Sequence, residues 1–404
     1  MTIDLEALYV DLHTHPELSF QETRTASVAA AHLRDLGLRV EEGIGITGVV
    51  GVLENGPGPV VWLRADMDAL PVEEQTGLPY ASTARGISPA GVEVPVMHAC
   101  GHDMHVTALI GALEALVATR TEWAGTVVAV LQPAEEFGAG SKAMIADGVL
   151  ERFPRPDIVL GQHVTPLPVG TVGVRPGTQM AASDGLTVTM HGRGGHGSRP
   201  HATVDPVVMA AATVMRLQTI ASREIDPRHV AVVTVGSIHA GLKHNIIPAE
   251  AVLELSLRYP DDETRERVLE KVERIVAAEA QASGALTPPT IVNDHSLPPT
   301  INDPAPTARV SAAIDAALGE GSVIDPGMFT GSEDVSWFAR DAGVPLVFWF
   351  WGGIDPALYA GAVASGTVES VIPTNHSPFF APVAGPTIEV GVTALTAAAR
   401  EFLA

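Results

Sequence analysis

Short runs of almost purely apolar residues punctuate roughly the first 180 positions: Val49–Leu53, Val60–Leu63, Val127–Leu131 and Ile158–Leu160. Strands this short and this free of polar alternation are expected to be covered on both faces. Helix patterns accompany them, at Thr23 to Leu36 ahead of the first, stopped by Gly37, and at the Ala/Leu-rich Val106 to Thr119 between the second and third. An α/β sheet sandwiched between helices satisfies both patterns.

From about Ser183 to Asn293 the pattern changes. Leu253, Leu255, Leu257 and Tyr259 alternate with Glu254, Ser256 and Arg258, which predicts a strand with one wet face. Further strands at Leu186–His191 and Val230–Ile238, with helices at about Ala202–Thr219 and Asp262–Ala282, complete a self-contained α+β insert. Pro- and Asp-rich turns then lead back to the apolar strand VPLVFWF and a final Ala-rich helix. The expected division is a discontinuous domain, 1–182 and 294–404, interrupted by a smaller one, 183–293.

Charge narrows the partners. The 404 residues hold 24 Lys+Arg against 47 Asp+Glu, a formal charge of −23, with lysine only at Lys142, Lys243 and Lys271. Phosphate backbones and anionic headgroups would be repelled, so neither nucleic acid nor a membrane surface is an expected partner. The lone Cys100 excludes an intramolecular disulfide and fits a reducing compartment. The opening MTIDLEALYVDLHTHPELSF lacks a cationic stretch followed by an apolar one, so the expected location is cytoplasmic.

Several chemistries lose their signatures. Gly43 to Gly48 matches G-x-G-x-x-G, but β-branched Val49 and Val50 follow where a nucleotide-binding helix would begin. Neither a G-x-S-x-G elbow nor a phosphate-binding loop is present. The dense region is His98-Ala-Cys100-Gly101-His102-Asp103-Met104-His105. A lone His or Cys is usually a packed or surface residue, whereas Cys-Gly-His sets a thiolate and an imidazole on a flexible link facing one divalent ion. Glu135-Glu136, after the strand GTVVAVLQ, reads either as a solvated pair at a helix start or as one metal ligand beside one proton acceptor. Asp66-Met-Asp68 closes another strand, with both carboxylates on one side, where an aspartate behind a metal-bound ligand is a typical partner. His163 ends DIVLGQH and His376 lies in PTNHSPF.

Eight blocks in order, HTHPELSFQE, LRADMDALPVEE, MHACGHDMH, LQPAEEFGAGSKAMI, GQH, GRGGHGSRPH, GSEDVSWF and NHSPFF, resemble the co-catalytic metallopeptidases of the aminoacylase/carboxypeptidase G2 type. The Cys-Gly-His variant resembles their N-acyl-amino-acid amidohydrolase subgroup, which includes hippurate and auxin-conjugate hydrolases. The resemblance implies a mixed-sheet, zinc-exopeptidase-like catalytic domain with an inserted α+β lid, and a homodimer or dimer-based tetramer through that lid. It implies two divalent ions per subunit, held by Cys100, His102, Glu136, His163 and His376, with Cys100 the bridge. Glu135 would be the general base and Asp68 the orienting carboxylate. His196 and Asn245 would hold the oxyanion, and Arg258 and Gly353 the substrate carboxylate. Zn2+, Mn2+, Co2+ and Ni2+ all suit such donors. The implied substrate is a small N-acyl-L-amino acid, hippurate-like or N-acetylated; the alternative is a metallo-dipeptidase or carboxypeptidase. A silent metal-binding scaffold is disfavoured, because storage needs no spare base beside Glu136. Trp349, Phe350 and Trp351 are expected to wall the acyl pocket.

Overall fold

The computed structural model describes residues 2–403. The chain forms two compact units: Met1–Gln179 with Ile301–Gly327 and Asp334–Ala404, and Met180–Thr300 with Met328–Glu333.

The first unit is built on an eight-stranded sheet. Its order is Arg39–Ile44, Gly48–Asn55, Gly125–Gln132, Val60–Asp66, Ile158–Pro168, Leu346–Ile354, Val172–Gly173 and Val323–Ile324. Val60–Asp66 runs parallel to both of its neighbours, and Leu346–Ile354 runs parallel to Ile158–Pro168. The first two strands form an antiparallel hairpin whose turn is the glycine-rich segment 43–48, so that motif is a connection and not a nucleotide cradle. Helices Leu5–Thr14, Thr23–Asp35, His102–Ala118 and Ala384–Arg400 supply much of the apolar cover.

Trp349, Phe350 and Trp351 are core residues, not a pocket wall: their exposures are 0%, 4% and 0%. Their strand lies inside the sheet, and its indoles are spoken for. Trp349 Nε1 donates to Gln162 Oε1 at 3.1 Å, and Trp351 Nε1 to the Thr387 carbonyl at 3.2 Å. The strand carrying His163 continues past it to Pro168 because Leu346–Ile354 keeps pairing with it.

The second unit is an antiparallel sheet in the order Val232–Ala240, Glu250–Tyr259, Ala182–His191 and Thr290–Leu297. The alternating residues Leu253, Leu255, Leu257 and Tyr259 are buried together with helices Pro206–Thr219 and Asp262–Ala282. Asp261 caps the second helix by accepting the Thr264 N–H at 2.7 Å. Two parts of this unit escape sequence reading. Its last strand runs beyond Asn293 to Leu297, an exposed edge without hydrophobic alternation. Residues 328–333 attach through the Ala181 N–H, which reaches the carbonyls of Phe329 and Gly331 at 3.0 Å each. No helix among the described residues is long and apolar enough to cross a membrane.

Candidate active site

The cluster in the first unit starts from one glycine. Gly101 is left-handed (φ 84°), and a Cβ there would collide with Val164. This turn starts the helix at His102, four residues before Val106, so His102, Asp103 and His105 lie buried in its first turn. Cys100 Sγ is 3.4 Å from His163 Nε2. His163 Nδ1 lies 2.7 Å from the Val164 carbonyl oxygen, which only accepts, so Nδ1 carries the hydrogen and the Nε2 lone pair faces the sulfur.

The carboxylates converge on the same spot. Asp68 Oδ1 accepts from His102 Nδ1 (3.3 Å) and the Glu135 N–H (3.1 Å), and Asp68 Oδ2 from the Glu136 N–H (3.1 Å) and Ser19 Oγ (2.6 Å). His102 Nε2 therefore points away from Asp68, 3.8 Å from Glu136 Oε1 and 4.0 Å from Glu135 Oε2. His376 Nε2 approaches Glu136 Oε2 at 3.4 Å. Its loop is strapped down by the His376 N–H to the Ala99 carbonyl (2.8 Å) and by Asn375 Nδ2 to the carbonyls of Cys100 and Val164, 3.1 Å each.

Ligand atoms of Cys100, His102 and His163, of Cys100, Glu136 and His376, and of His102, Glu135 and Glu136 lie within 4.8 Å of one another in each group. Cys100 belongs to two of these groups. His102 Nε2 and Glu136 Oε1 are buried without a hydrogen-bond partner, an unusual cost unless something else satisfies them. Burial, Glu136 and Glu135 push the Cys100 thiol up, the reverse of what a thiolate ligand needs. Burial opposes charge on His102, yet Asp66, Asp68 and Glu136 raise it to about 10. Burial and His105 hold His163 well below the usual range, as an unprotonated donor. Two unpartnered ligand atoms and a thiol among carboxylates call for cations, and this set of nitrogen, oxygen and sulfur ligands fits divalent metal.

Behind the cluster stands a layer that sequence reading left without roles. His105 Nδ1 bonds Asp66, and its Nε2 accepts the Val164 N–H at 2.9 Å, which steadies the strand at His163. Arg64 joins Asp66 (2.6 Å), Asp334 (3.1 Å) and Gln132 (2.9 Å), all buried. Asp66 and Arg64 stood in a quoted block; only the fold shows what they touch.

The remaining expected residues fall elsewhere. In the second unit His196 and Asn245 come together, because Gly195–His196 pairs with Ile246–Ile247 and the Gly197 N–H donates to the Asn245 carbonyl at 2.9 Å. His196 Nδ1 accepts the Ser198 N–H at 3.1 Å, so its Nε2 carries the hydrogen. Arg258 Nη1 donates to Ser332 Oγ at 2.6 Å and has no ion pair among the described residues. Gly353, in the first unit, is buried against Pro382 and Val164, and its carbonyl accepts the Val383 N–H at 2.9 Å.

A mixed sheet that carries a thiol, imidazoles and paired carboxylates around one cluster of metal-type donors has the make-up of a metal-dependent hydrolase. The chain belongs to peptidase family M20/M25/M40, whose sequence pattern matches residues 62–372. It is 39% identical over 344 residues to the N-acetyl-L-cysteine deacetylase of Bacillus subtilis, covering 84% of this chain and 78% of that protein. It is 37% identical over 346 residues to thermostable carboxypeptidase 1 of Saccharolobus solfataricus, covering 84% of each. The Bacillus subtilis YXEP protein, a dinuclear metal binding peptidase of family M20, superposes with a TM-score of 0.78 at 29% identity, covering 98% of both chains.

Proposed function

We propose that the protein hydrolyses N-acyl-L-amino acids, N-acetylated or hippurate-like, to a carboxylic acid and a free amino acid. The observation that carries this reading is Arg258. Burial works against its charge, only the Tyr259 phenol supports it, and no carboxylate pairs with it among the described residues. A half-buried guanidinium without a counter-ion suits a substrate carboxylate. That role is proposed for Arg258 and, through its N–H, for Gly353, since a carboxylate needs donors and the Gly353 carbonyl is already taken by the Val383 N–H. The likeness to the deacetylase supports an acylated amine; the likeness to the carboxypeptidase favours the alternative, a peptide with a free amine.

Two divalent ions held by Cys100, His102, Glu136, His163 and His376, whether Zn2+, Mn2+, Co2+ or Ni2+, would supply Lewis acidity for a water and for the amide carbonyl. Cys100 is proposed as the shared ligand because its sulfur joins two groups that have no other member in common, one with His102 and His163 and one with Glu136 and His376. Glu135 takes the proton of the attacking water and delivers it to the leaving amine. Asp68 fixes the His102 tautomer and the backbone of both glutamates. His196, with Nε2–H as donor, and Asn245 stabilise the oxyanion, a role worth about 3–4 kcal/mol for such donors. The exposed edge strand Val232–Ala240, with Leu242 and Ile246 projecting beyond it, supports a homodimer or dimer-based tetramer through the second unit. The single cysteine supports a reducing, cytoplasmic location.

The test is a panel of N-acetyl, N-benzoyl and indole-acyl amino acids beside free-amine dipeptides, assayed on metal-free protein after adding back each ion. Glu135→Ala is expected to abolish turnover and keep metal, whereas Glu136→Ala loses both. Wild-type turnover by Glu135→Ala would sink the assignment of the base, and preference for free-amine dipeptides would replace the substrate reading.

A further inference from the structure

Among the described residues, four that are not glycine hold left-handed backbone: Phe20 (φ 61°), Ile46 (φ 91°), Ala134 (φ 46°) and His376 (φ 68°). A side chain disfavours that conformation, so it persists only where the surroundings impose it. Phe20 and Ala134 share one constraint: their N–H groups donate to the same atom, Glu22 Oε1, at 2.9 and 2.8 Å. The other oxygen, Oε2, accepts from Thr47 Oγ1 at 2.5 Å, one residue after Ile46. Glu22 is fully buried (0% exposed), and the Ala134 contact spans 112 residues of sequence.

Ala134 is the residue at which the chain leaves strand Gly125–Gln132 and turns onto Glu135 and Glu136. Its carbonyl is held as well, by the N–H groups of Gly140 (3.1 Å) and Ala139 (3.3 Å). A glycine at 134 would adopt positive φ without strain but would leave the turn loose. Alanine with a clamp makes a defined turn, and a carboxylate oxygen has lone pairs for both N–H groups.

We propose that Glu22 is a positioning residue for the reaction: by holding Ala134 in its left-handed turn, it aims the Glu135–Glu136 pair at the metal cluster. The inference rests on the reading of Glu135 as base and Glu136 as ligand. The role is geometric. Gln can reproduce it, because an amide oxygen serves the two N–H groups while the amide NH2 donates to the Thr47 hydroxyl oxygen. Ala cannot.

The experiment compares Glu22→Ala, Glu22→Gln, Thr47→Val, Ala134→Gly and the Glu22→Ala/Ala134→Gly pair, with Glu135→Ala as reference. Misaiming a reacting group by an ångström costs up to about 100-fold, so Glu22→Ala is expected to lower kcat about 10- to 100-fold. KM stays within about threefold, since the substrate anchors lie elsewhere. In metal-free protein, amide hydrogen exchange should quicken at residues 134–136 and at Phe20. Glu22→Gln should recover most of the kcat and the protection, and Thr47→Val should show a smaller loss of both. Glu22→Ala should cost less in the Ala134→Gly background, where positive φ carries no strain for the clamp to hold down and the turn is already loose. A Glu22→Ala enzyme that melts earlier but keeps kcat would overturn the proposal, as would Glu22→Gln being as damaging as Glu22→Ala. Should Glu22→Ala fail to fold, the Gln, Val and double variants decide by the same criteria. An active Glu135→Ala would instead remove the reading of the base, a failure visible without any Glu22 variant.

Discussion

Removing Asp68 gives the sharpest test of how the site is held. Its two oxygens accept four donors: Ser19 Oγ at 2.6 Å, His102 Nδ1 at 3.3 Å, and the N–H groups of Glu135 and Glu136 at 3.1 Å each. A buried N–H left without an acceptor costs about 1–3 kcal/mol, so in Asp68→Ala the two glutamate amides alone would cost about 2–6 kcal/mol. The turn is expected to open rather than bear that cost, and both carboxylates leave their places. Asp68→Asn is milder. With its NH2 at the Oδ2 position, the Ser19 hydroxyl can reverse and accept, while His102 and the Glu135 N–H keep their oxygen. Only the Glu136 N–H then faces a donor, at about 1–3 kcal/mol. Loss of a group that orients a metal ligand typically weakens binding about 10- to 100-fold, or about 1.4–2.7 kcal/mol. Asp68→Ala belongs at the upper end and Asp68→Asn at the lower. Competition against a calibrated chelator measures this directly, without reference to turnover. Metal affinity within about twofold of wild type in Asp68→Ala would refute the argument; so would an Asn variant no better than the Ala variant.

The remaining predictions test separate features. In metal-free protein the raised thiol of Cys100 should alkylate slowly at neutral pH and faster as pH rises, whereas metal-loaded protein resists throughout; equal labelling of both forms would take Cys100 out of the metal site. In the second unit Arg265 grips Asp184 with both prongs, at 2.6 and 2.8 Å. Burial alone would raise Asp184, but Arg265 and Asn293 outweigh it and lower its pKa. The stabilisation is thus fully present above the ordinary value of 3.8 and lost as pH falls through the depressed folded value. Asp184→Asn should melt earlier at neutral pH, and the gap should close in acid; a gap independent of pH would refute the pairing. Mixing inactive Glu135→Ala and His196→Ala chains should restore activity if His196 serves the partner's site. No recovery after proven subunit exchange would confine His196 to its own chain.

How legible was this fold in the sequence? The unbroken apolar runs identified both-face-buried strands correctly at Val60–Asp66 and Gly125–Gln132, and the same rule applied to VPLVFWF foretells the burial of Trp349 and Trp351. Reading those aromatics as a pocket wall set residue type above pattern, and the pattern was right. The second unit was readable where Leu253 to Tyr259 alternate. It was unreadable at Thr290–Leu297, because an exposed edge strand carries little hydrophobic signal.

The site was legible for a different reason: metal chemistry confines its donors to a few residue types, and Cys100-Gly-His102 and Glu135-Glu136 concentrate them in short stretches. What orients those donors uses ordinary residues at long range. Arg64 meets Asp334 across 270 positions, and nothing local to either announces the pairing. Ala134 is harder still. Alanine gives no signal of a left-handed turn, because the turn is imposed from outside by Glu22, itself just the last letter of HTHPELSFQE. Residues that touch the reacting atoms are limited by chemistry and can be read one motif at a time. Residues that aim them are limited by geometry, which exists only once the chain has folded.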